Sequence, residues 1–188
     1  MVCYIGGMRI IGLAGWSGAG KTTLLAKVLP LIVARGHAVS TLKHAHHSFD
    51  LDQPGKDSHT HRMAGATEVL IASANRYALM HELRGAAEPS LYELLTKLSP
   101  VDLVVVEGFK AARYRKLEIF RAAVGKPALH PDDPLIVGII SDTPFPNSGR
   151  PLVAIDDARA VADLMLEHAE PIAQVLARAP TSPQQRRA

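Results

Sequence analysis

The stretch that decides the fold is Gly15-Trp-Ser-Gly-Ala-Gly-Lys-Thr22. It places four residues between a first glycine and a Gly-Lys-Thr triplet, which is the spacing of a phosphate-binding P-loop. The preceding segment Arg9–Ala14 is a short run that is apolar after its first residue, as expected of a strand that is buried on both faces. The following residues Lys21–Ala34 carry leucines and valines at helical spacing. The segment therefore predicts a strand, a phosphate-binding loop and a helix in succession.

The chemistry expected of this loop is the binding of a nucleoside triphosphate with Mg²⁺. Glycines allow backbone N–H groups to point at phosphates, and the helix N-terminus adds a partial positive charge. We expect Lys21 to reach the β- and γ-phosphates as a catalytic residue, and the Thr22 hydroxyl to ligate the metal. The predicted nucleotide contacts in this region are Gly15, Trp16, Ser17, Gly18, Ala19, Gly20, Lys21, Thr22 and Thr23.

Carboxylates near other strand ends are the candidates for holding the metal. Glu107 directly follows the apolar run Leu103–Val106, so we predict that it ligates Mg²⁺ and orients an attacking water. The alternative is an exposed strand-end charge. Asp52 is predicted as a further metal ligand, from a loop that also contains Asp50 and Asp57. Asp142 follows the predicted strand Val137–Ile140 and is a second candidate for the magnesium carboxylate, with a capping role as its alternative; it is also predicted as the carboxylate at the nucleotide base.

A histidine-rich segment follows the second predicted strand. Its histidines are His44, His46, His47, His59 and His61. Their spacing is not that of a regular zinc site, although zinc remains an alternative. We expect this segment to surround an anion with Lys43, Lys56 and Arg62; a solvated polar loop is the third interpretation.

The remaining pattern predicts an α/β, three-layer P-loop NTPase fold with a mostly parallel sheet and an antiparallel hairpin. A strand at Ala38–Lys43 completes a strand–helix–strand unit, which favours parallel pairing. The other expected elements are a helix at 57–64 capped by Asp57 or Ser58, a hairpin of 68–72 and 76–81, a helix from Ser90 to Leu98, strands at 103–106, 117–122 and 135–140, and a helix capped by Asp156-Asp157 that reaches about His168, with Pro171 kinking or ending it.

Composition sets the broad class. The chain has 188 residues, is 47% apolar and carries a net charge of +3, which suits a globular domain with an anionic ligand and does not indicate nucleic acid. Cys3 is the only cysteine, which excludes an intramolecular disulfide and a four-cysteine zinc site. With no run long enough for a membrane span and no signal-peptide pattern at the start, we predict a cytoplasmic protein.

We expect one nucleotide-binding domain over residues 8–170. Residues 1–7 are then an N-terminal extension, with Met8 as an alternative start, and residues 179–188 a disordered tail.

Several stretches together resemble the molybdopterin-guanine dinucleotide biosynthesis protein B (MobB) family. They are Gly15–Thr23 with Leu24-Leu25, Lys43-His44, Asp52-Gln-Pro-Gly-Lys-Asp-Ser58, Ala64-Gly-Ala66, Val104-Val-Val-Glu-Gly-Phe-Lys110, Lys116-Leu-Glu118 with Arg121, and Ile139-Ile-Ser-Asp142. The resemblance covers roughly residues 8–166. The chain departs from the family pattern at Arg115, where proline is common, and at Gly18-Ala19, where Asn-Ser is more usual.

The resemblance implies a GTP-binding, Mg²⁺-dependent protein with weak GTPase activity. It also implies a homodimer that assists the MobA-like guanylyltransferase, which attaches GMP to molybdopterin. No residue in the sequence identifies guanine, so GTP comes from the resemblance alone. Two alternatives stay open: a small-molecule kinase with Asp50 or Asp52 as its base, and a non-catalytic, nucleotide-dependent interaction module.

Basic residues around Tyr114 bear on that choice. Arg113, Arg115 and Arg121 would act as mobile lid residues in a kinase. The preferred interpretation is that they meet the phosphate of molybdopterin, the partner protein or the dimer mate.

Overall fold

The computed structural model describes residues 7–45 and 49–180. These residues form two compact units. The first comprises residues 7–44 and 91–180, and the second comprises residue 45 and residues 49–90.

Strands and helices alternate along most of the chain. In order, the elements are β1 (Arg9–Ala14), α1 (Lys21–Ala34), β2 (Val39–Lys43), α2 (Asp57–Met63), β3 (Glu68–Ala72), β4 (Tyr77–His81), α3 (Leu91–Leu95), β5 (Leu103–Glu107), β6 (Lys116–Phe120), a 3₁₀ turn (Ala122–Val124), β7 (Ile136–Ser141), β8 (Leu152–Ala154), α4 (Ala158–His168), β9 (Glu170–Pro171) and α5 (Ile172–Leu176).

The first unit is built on a seven-stranded sheet with strand β1 at its centre. The strand order is β2-β5-β1-β6-β7-β8, with all neighbours in this order parallel, and β9 pairs antiparallel with the start of β1. Since parallel strands end at the same edge, the residues after β1, β2, β5, β6 and β7 gather there. Glu107 is in register with both Leu13 and Lys43. The predicted mostly parallel sheet is confirmed.

Hydrophobic residues of the sheet alternate between two cores, one on each face. Ile11 and Leu13 of β1 pack in a core with α1 and α4. Ile10, which precedes Ile11 and points to the opposite face, belongs to a second core with α3 and α5. This period of two explains why the stretches Ile10–Ala14 of β1 and Leu103–Val106 of β5 contain no polar side chain. The predicted three-layer α/β fold is confirmed.

The second unit contains α2 and the antiparallel hairpin β3–β4. The hairpin was predicted, but it forms a two-stranded sheet of its own and does not join the large sheet. The prediction that Asp57 or Ser58 caps α2 is wrong. Lys56 occupies the N-cap position without a side-chain cap, and the Ser58 hydroxyl donates to the Asp52 carboxylate instead.

Several element boundaries differ from expectation. Strands β8 and β9 were not predicted, and α3 ends at Leu95. Asp157 caps α4 as expected, because its carboxylate accepts from the Ala160 N–H at 3.0 Å. Helix α4 ends at His168, so Pro171 neither kinks nor ends it; Pro171 lies in β9.

Some predictions fall outside the described residues. They concern residues 1–6 of the extension, residues 181–188 of the tail, and His46 and His47. Within the described ranges, no helix is both long and apolar enough to span a bilayer.

Candidate nucleotide-binding site

The loop between β1 and α1 has a backbone that requires glycine. Gly15 has a φ of 152°, and a Cβ on it would lie 2.6 Å from the Ile119 carbonyl oxygen of β6. Gly20, the N-cap residue of α1, has a left-handed φ of 89°. Side chains at these positions would collide with β6 or strain the backbone. The loop therefore turns tightly against the end of the sheet.

The start of α1 is free of the groups that usually neutralise a helix N-terminus. Gly20 makes no side-chain cap, and the first turn contains no acidic residue. The early N–H groups of an α-helix lack intrahelical partners, and their partial positive charge favours an anion. Thr22 and Thr23 are exposed in this first turn, whereas Ala19 of the loop is buried. This arrangement fits a phosphate.

Lys21 is held at the loop. Its ammonium donates to the Gly15 carbonyl at 2.9 Å and to the Trp16 carbonyl at 3.0 Å. Burial lowers the pKa of Lys21; Lys110 and Lys43 lower it further, while Glu107 opposes the shift. A neighbouring phosphate would favour the charged ammonium.

Glu107 meets the loop at the end of the neighbouring strand β5. Its Oε2 lies 3.5 Å from the Thr22 Oγ1, which donates to it, and 3.9 Å from the Lys43 Nζ. The Glu107 side chain is only 15% exposed, which disfavours the interpretation as a freely solvated strand-end charge. A hydroxyl and a carboxylate are the oxygen ligands that Mg²⁺ prefers. The donor set therefore fits the ion.

The chain leaves β5 through two residues with positive φ, of which only Phe109 is strained by it. Gly108 has a φ of 106°, and a Cβ on it would lie 2.5 Å from the His44 Cβ. Phe109 has a left-handed φ of 49°, and its ring lies 4.6 Å from the His44 imidazole. The buried Tyr114 hydroxyl donates to the Gly108 carbonyl at 2.7 Å. These contacts fix the segment that follows Glu107, as expected where strain serves a site.

Trp16 links the loop to a distant part of the chain. Its indole Nε1–H donates to the Pro127 carbonyl at 2.8 Å. The ammonium groups of Lys110 and Lys126 lie 5.5 and 6.0 Å from its ring, within cation–π range. Ser17 and Gly18, the next two loop residues, are exposed. Sequence reasoning missed both lysines as neighbours of Trp16, because the pairing depends on how residues 126–127 return to the loop.

Asp142 follows β7 and has a local partner. One carboxylate oxygen accepts from the Ala122 N–H and from the Thr143 hydroxyl, each at 3.0 Å. The bond from Ala122 is the main reason that the pKa of Asp142 is lowered, and the Arg121 charge adds to the effect. The carboxylate thus fixes the turn after β6, in line with its capping alternative. Base recognition by Asp142 remains a prediction.

Two charged residues of β6, Lys116 and Glu118, are buried and bind other parts of the chain. Glu118 accepts from the backbone N–H groups of Leu129 and His130 at 2.6 and 3.0 Å, and it pairs with the His130 ring at 2.8 Å. Lys116 pairs with Asp133 at 3.3 Å. Both side chains anchor the segment after the 3₁₀ turn to β6.

Asp52 lies in the second unit and is largely enclosed by its own neighbours. Its side chain is 3% exposed, accepts from the Ser58 hydroxyl at 2.8 Å, and has the Arg62 Nε at 3.5 Å. Arg62 also pairs with Asp50 at 2.6 Å and with Glu82 at 3.2 Å. In this unit Asp52 and Asp50 hold Arg62. The assignment of Asp52 to the metal stays a prediction.

The histidine-rich segment shows no metal cluster among its described members. Over residues 7–45 and 49–180, no three side chains of histidine, cysteine, aspartate or glutamate are placed to hold an ion together. His44 packs against Phe109, and His59 and His61 lie on α2. The role of the segment stays a prediction.

The fold and loop define the class of this chain. The P-loop α/β class combines four parts, all found here: a central parallel strand, a glycine-rich turn, an uncapped helix that begins with lysine and threonine, and a carboxylate on the adjacent strand.

Comparison with known proteins narrows the class. A model of the family described as "MobB: Molybdopterin guanine dinucleotide synthesis protein B" matches residues 10–142. A protein of Escherichia coli (strain K12) is 40% identical over 161 residues, which cover 84% of this chain and 91% of that protein. A protein of Haemophilus influenzae is 34% identical over 156 residues, with coverages of 83% and 86%. Both are named molybdopterin-guanine dinucleotide biosynthesis adapter protein. The chain belongs to the MobB family.

Solved structures agree on the fold. The crystal structure of Bacillus subtilis MobB aligns with a TM-score of 0.67 at 24% identity, covering 87% of this chain and 99% of that one. A second structure, of a molybdopterin-guanine biosynthesis protein B, aligns with a TM-score of 0.62 at 22% identity, covering 84% and 98%.

Proposed function

We propose that this protein binds GTP with Mg²⁺ at the loop of residues 15–23 and acts as the adapter of molybdopterin guanine dinucleotide synthesis. In this role it assists a MobA-like guanylyltransferase that uses molybdopterin. Hydrolysis of GTP is slow, and the protein works as a cytoplasmic homodimer. Family membership supports the pathway, since relatives over nearly the whole chain carry the adapter name.

The observation that carries the nucleotide proposal is the grouping of Lys21, Thr22 and Glu107. All three lie around one uncapped helix N-terminus. The Lys21 ammonium would bind phosphate, and the Thr22 hydroxyl and the Glu107 carboxylate would bind Mg²⁺. Mg²⁺ at this point would supply charge neutralisation of the phosphates. The residues of the chain bind and orient: backbone N–H groups and Lys21 hold the phosphates, and Glu107 orients a water.

A phosphate-release assay tests this proposal against the kinase alternative. The purified protein is incubated with Mg²⁺ and either GTP or ATP, with and without small hydroxyl-bearing acceptors, and free phosphate is measured. We expect slow release that is faster with GTP and unaffected by acceptors. Phosphate transfer to an acceptor, or a clear preference for ATP, would contradict the proposed GTPase.

The homodimer proposal draws on the hairpin of the second unit. Leu70 and Leu79 are directly paired across β3 and β4, and they are 63% and 55% exposed. Tyr77, two residues from Leu79 and on the same face of the hairpin, is also exposed, at 71%. An isolated two-stranded sheet is marginally stable in water, and an exposed apolar patch marks an interaction surface. A second copy of this chain would cover it.

Light scattering on a hairpin variant tests the dimer. Leu79→Lys places a charge in the patch, so it should shift the protein toward monomers while leaving the first unit folded. Leu152→Lys, at a 39% exposed position on β8, is the matched control. A monomeric wild-type protein, or an unchanged dimer in Leu79→Lys, would argue against this interface.

The adapter role has its own test. A guanylyltransferase reaction that forms the dinucleotide from molybdopterin and Mg-GTP is run with wild-type protein or Lys21→Ala. We expect stimulation by the wild type only. Equal stimulation by both proteins would separate the adapter role from nucleotide binding.

A further inference from the structure

Arg121 is an arginine beside the phosphate-binding loop, and the sequence alone left its ligand open between the phosphate of molybdopterin, the partner protein and the dimer mate. It follows β6 directly, and β6 lies on one side of β1 while β5, which ends in Glu107, lies on the other. The loop is therefore flanked by a carboxylate at one side and by Arg121 at the other. The two side chains have opposite charges and face different parts of the same turn.

The Arg121 guanidinium lies against the residue that opens α1. Its Nε and Nη2 lie 3.3 and 3.8 Å from the position that a Cβ would take on Gly20. Gly20 is the N-cap of α1, so the guanidinium stands where the partial positive charge of the helix is greatest. Two positive groups at one point raise the electrostatic free energy of the site unless an anion lies between them.

The Arg121 guanidinium has donors that no described residue takes up. Its side chain is half-buried, and across residues 7–45 and 49–180 it makes no hydrogen bond or close ion pair; the Asp142 carboxylate, whose pKa it helps to lower, attracts it only from a longer distance. Other arginines of the first unit do: Arg35 pairs with Asp163, and Arg178 pairs with Glu170. A half-buried guanidinium with unused donors is suited to the bidentate binding of phosphate oxygens.

The backbone that carries Arg121 is fixed. The Asp142 carboxylate accepts the N–H of Ala122, the next residue, and the Ile119 carbonyl lies against Gly15. Arg121 is thus placed from within the chain, on a short segment anchored to both β7 and the loop. Such pre-organisation lowers the entropy that is lost when a ligand is bound.

We propose that Arg121 donates to a phosphate group of the nucleotide bound at the loop, on the side opposite Glu107. This inference rests on the proposed nucleotide binding. It assigns a phosphate ligand from within the same chain, so the site holds its charged phosphates with two cations, Lys21 and Arg121. Gly20 then serves two purposes, because it opens the helix and leaves room for the guanidinium.

Equilibrium binding of Mg-GTP to wild type, Arg121→Gln and Arg121→Lys tests the proposal. Loss of a charged hydrogen-bond donor should weaken binding by about tenfold to a hundredfold in Arg121→Gln. Arg121→Lys should recover part of that loss, and the salt dependence of affinity should be shallower in Arg121→Gln. Thermal unfolding should barely change, because within the described residues the guanidinium makes no hydrogen bond or close ion pair, and only its longer-range attraction to Asp142 is lost. Arg159→Gln, an exposed site on α4, is the control.

A second nucleotide separates phosphate from base recognition. An arginine can also bind the O6 and N7 atoms of guanine, and 7-deaza-GTP lacks N7. A phosphate contact predicts the same loss factor for GTP and 7-deaza-GTP; a smaller loss with 7-deaza-GTP would overturn the phosphate assignment. Wild-type affinity in Arg121→Gln, with binding abolished in Lys21→Ala, would overturn the role of Arg121 alone. No binding by wild type would overturn both this inference and the proposed function.

Discussion

The Thr22 hydroxyl lies 3.5 Å from the Glu107 carboxylate, although 84 residues separate the two in the chain. The parallel pairing of β1 with β5 brings them together, since both strands end at the same edge of the sheet. A metal ion that met both oxygens would join the start of α1 to the end of β5. The central proposal of Mg-nucleotide binding depends on this relationship.

Glu107→Gln is expected to bind nucleotide but to hydrolyse it at least about tenfold more slowly, because the amide neither balances the metal charge nor accepts a proton. Single-turnover phosphate release at several Mg²⁺ concentrations measures both effects. Glu167→Gln, exposed on α4, is the control. Unchanged turnover and unchanged Mg²⁺ dependence would remove Glu107 from the site.

Trp16 is the only tryptophan in the chain, so its fluorescence reports on the loop directly. Binding of phosphates should alter the carbonyl contacts of Lys21 and the positions of the lysines near the ring, which changes the environment of the indole. We expect a saturable change in emission on adding Mg-GTP to wild type and none in Lys21→Ala. A signal of equal size in both proteins would show that it does not arise from loop occupancy.

Gly108→Ala should destabilise the fold by about 2 kcal/mol or more, because its Cβ would overlap the His44 Cβ and the left-handed backbone would be strained. Gly125→Ala is the matched control: its φ is 65°, but a Cβ there meets nothing within 4 Å. In Gly125→Ala, backbone strain alone should lower the free energy of unfolding by about 1 kcal/mol. Urea unfolding of both variants measures the difference. An equal decrease in the free energy of unfolding in both variants would mean that the close approach of His44 and Gly108 is not rigid.

Asp142→Asn should change how stability depends on pH. The pKa of Asp142 is lowered in the folded protein, chiefly by the Ala122 N–H, so the folded state favours the carboxylate. Its contribution is therefore present above the unfolded value of about 3.8 and is lost as pH falls through the lower folded pKa. Urea midpoints between pH 3 and 7 should favour wild type at the upper end and converge with Asp142→Asn at the lower end.

The control for this measurement is Asp156→Asn, an exposed site before α4. It should not produce the convergence. A difference between wild type and Asp142→Asn that stays constant across the pH range would contradict the assigned hydrogen bond.

Sequence reasoning succeeded where local pattern and fold agree. Residues of β1 and β5 are buried on both faces, so their continuous apolar runs identified them, and the loop spacing placed Lys21 and Thr22. It missed β8 because only three residues pair at the sheet edge, two of them exposed. Strand β9 has two residues and exists only through its contact with β1.

At the candidate site too, features encoded in a local pattern were predictable from the sequence, and contacts between distant segments were not. Glu107 could be predicted because its strand end is visible in the sequence. Contacts such as Trp16 with Pro127, and Arg121 with Gly20, depend on strand order and on the return of a loop, which no local pattern encodes. The N-cap of α2 was misassigned for a related reason: the Ser58 hydroxyl, one of its two predicted caps, donates to Asp52 of the preceding loop.

Calorimetric titration of wild type and Lys21→Ala with Mg-GTP tests the central claim most directly, with Lys27→Ala as a control at an exposed lysine of the same helix. We predict one saturable site per chain in wild type and Lys27→Ala, and no measurable binding in Lys21→Ala although it unfolds at a similar temperature. Absence of binding in wild type, or undiminished binding in Lys21→Ala, would contradict the assignment of the loop.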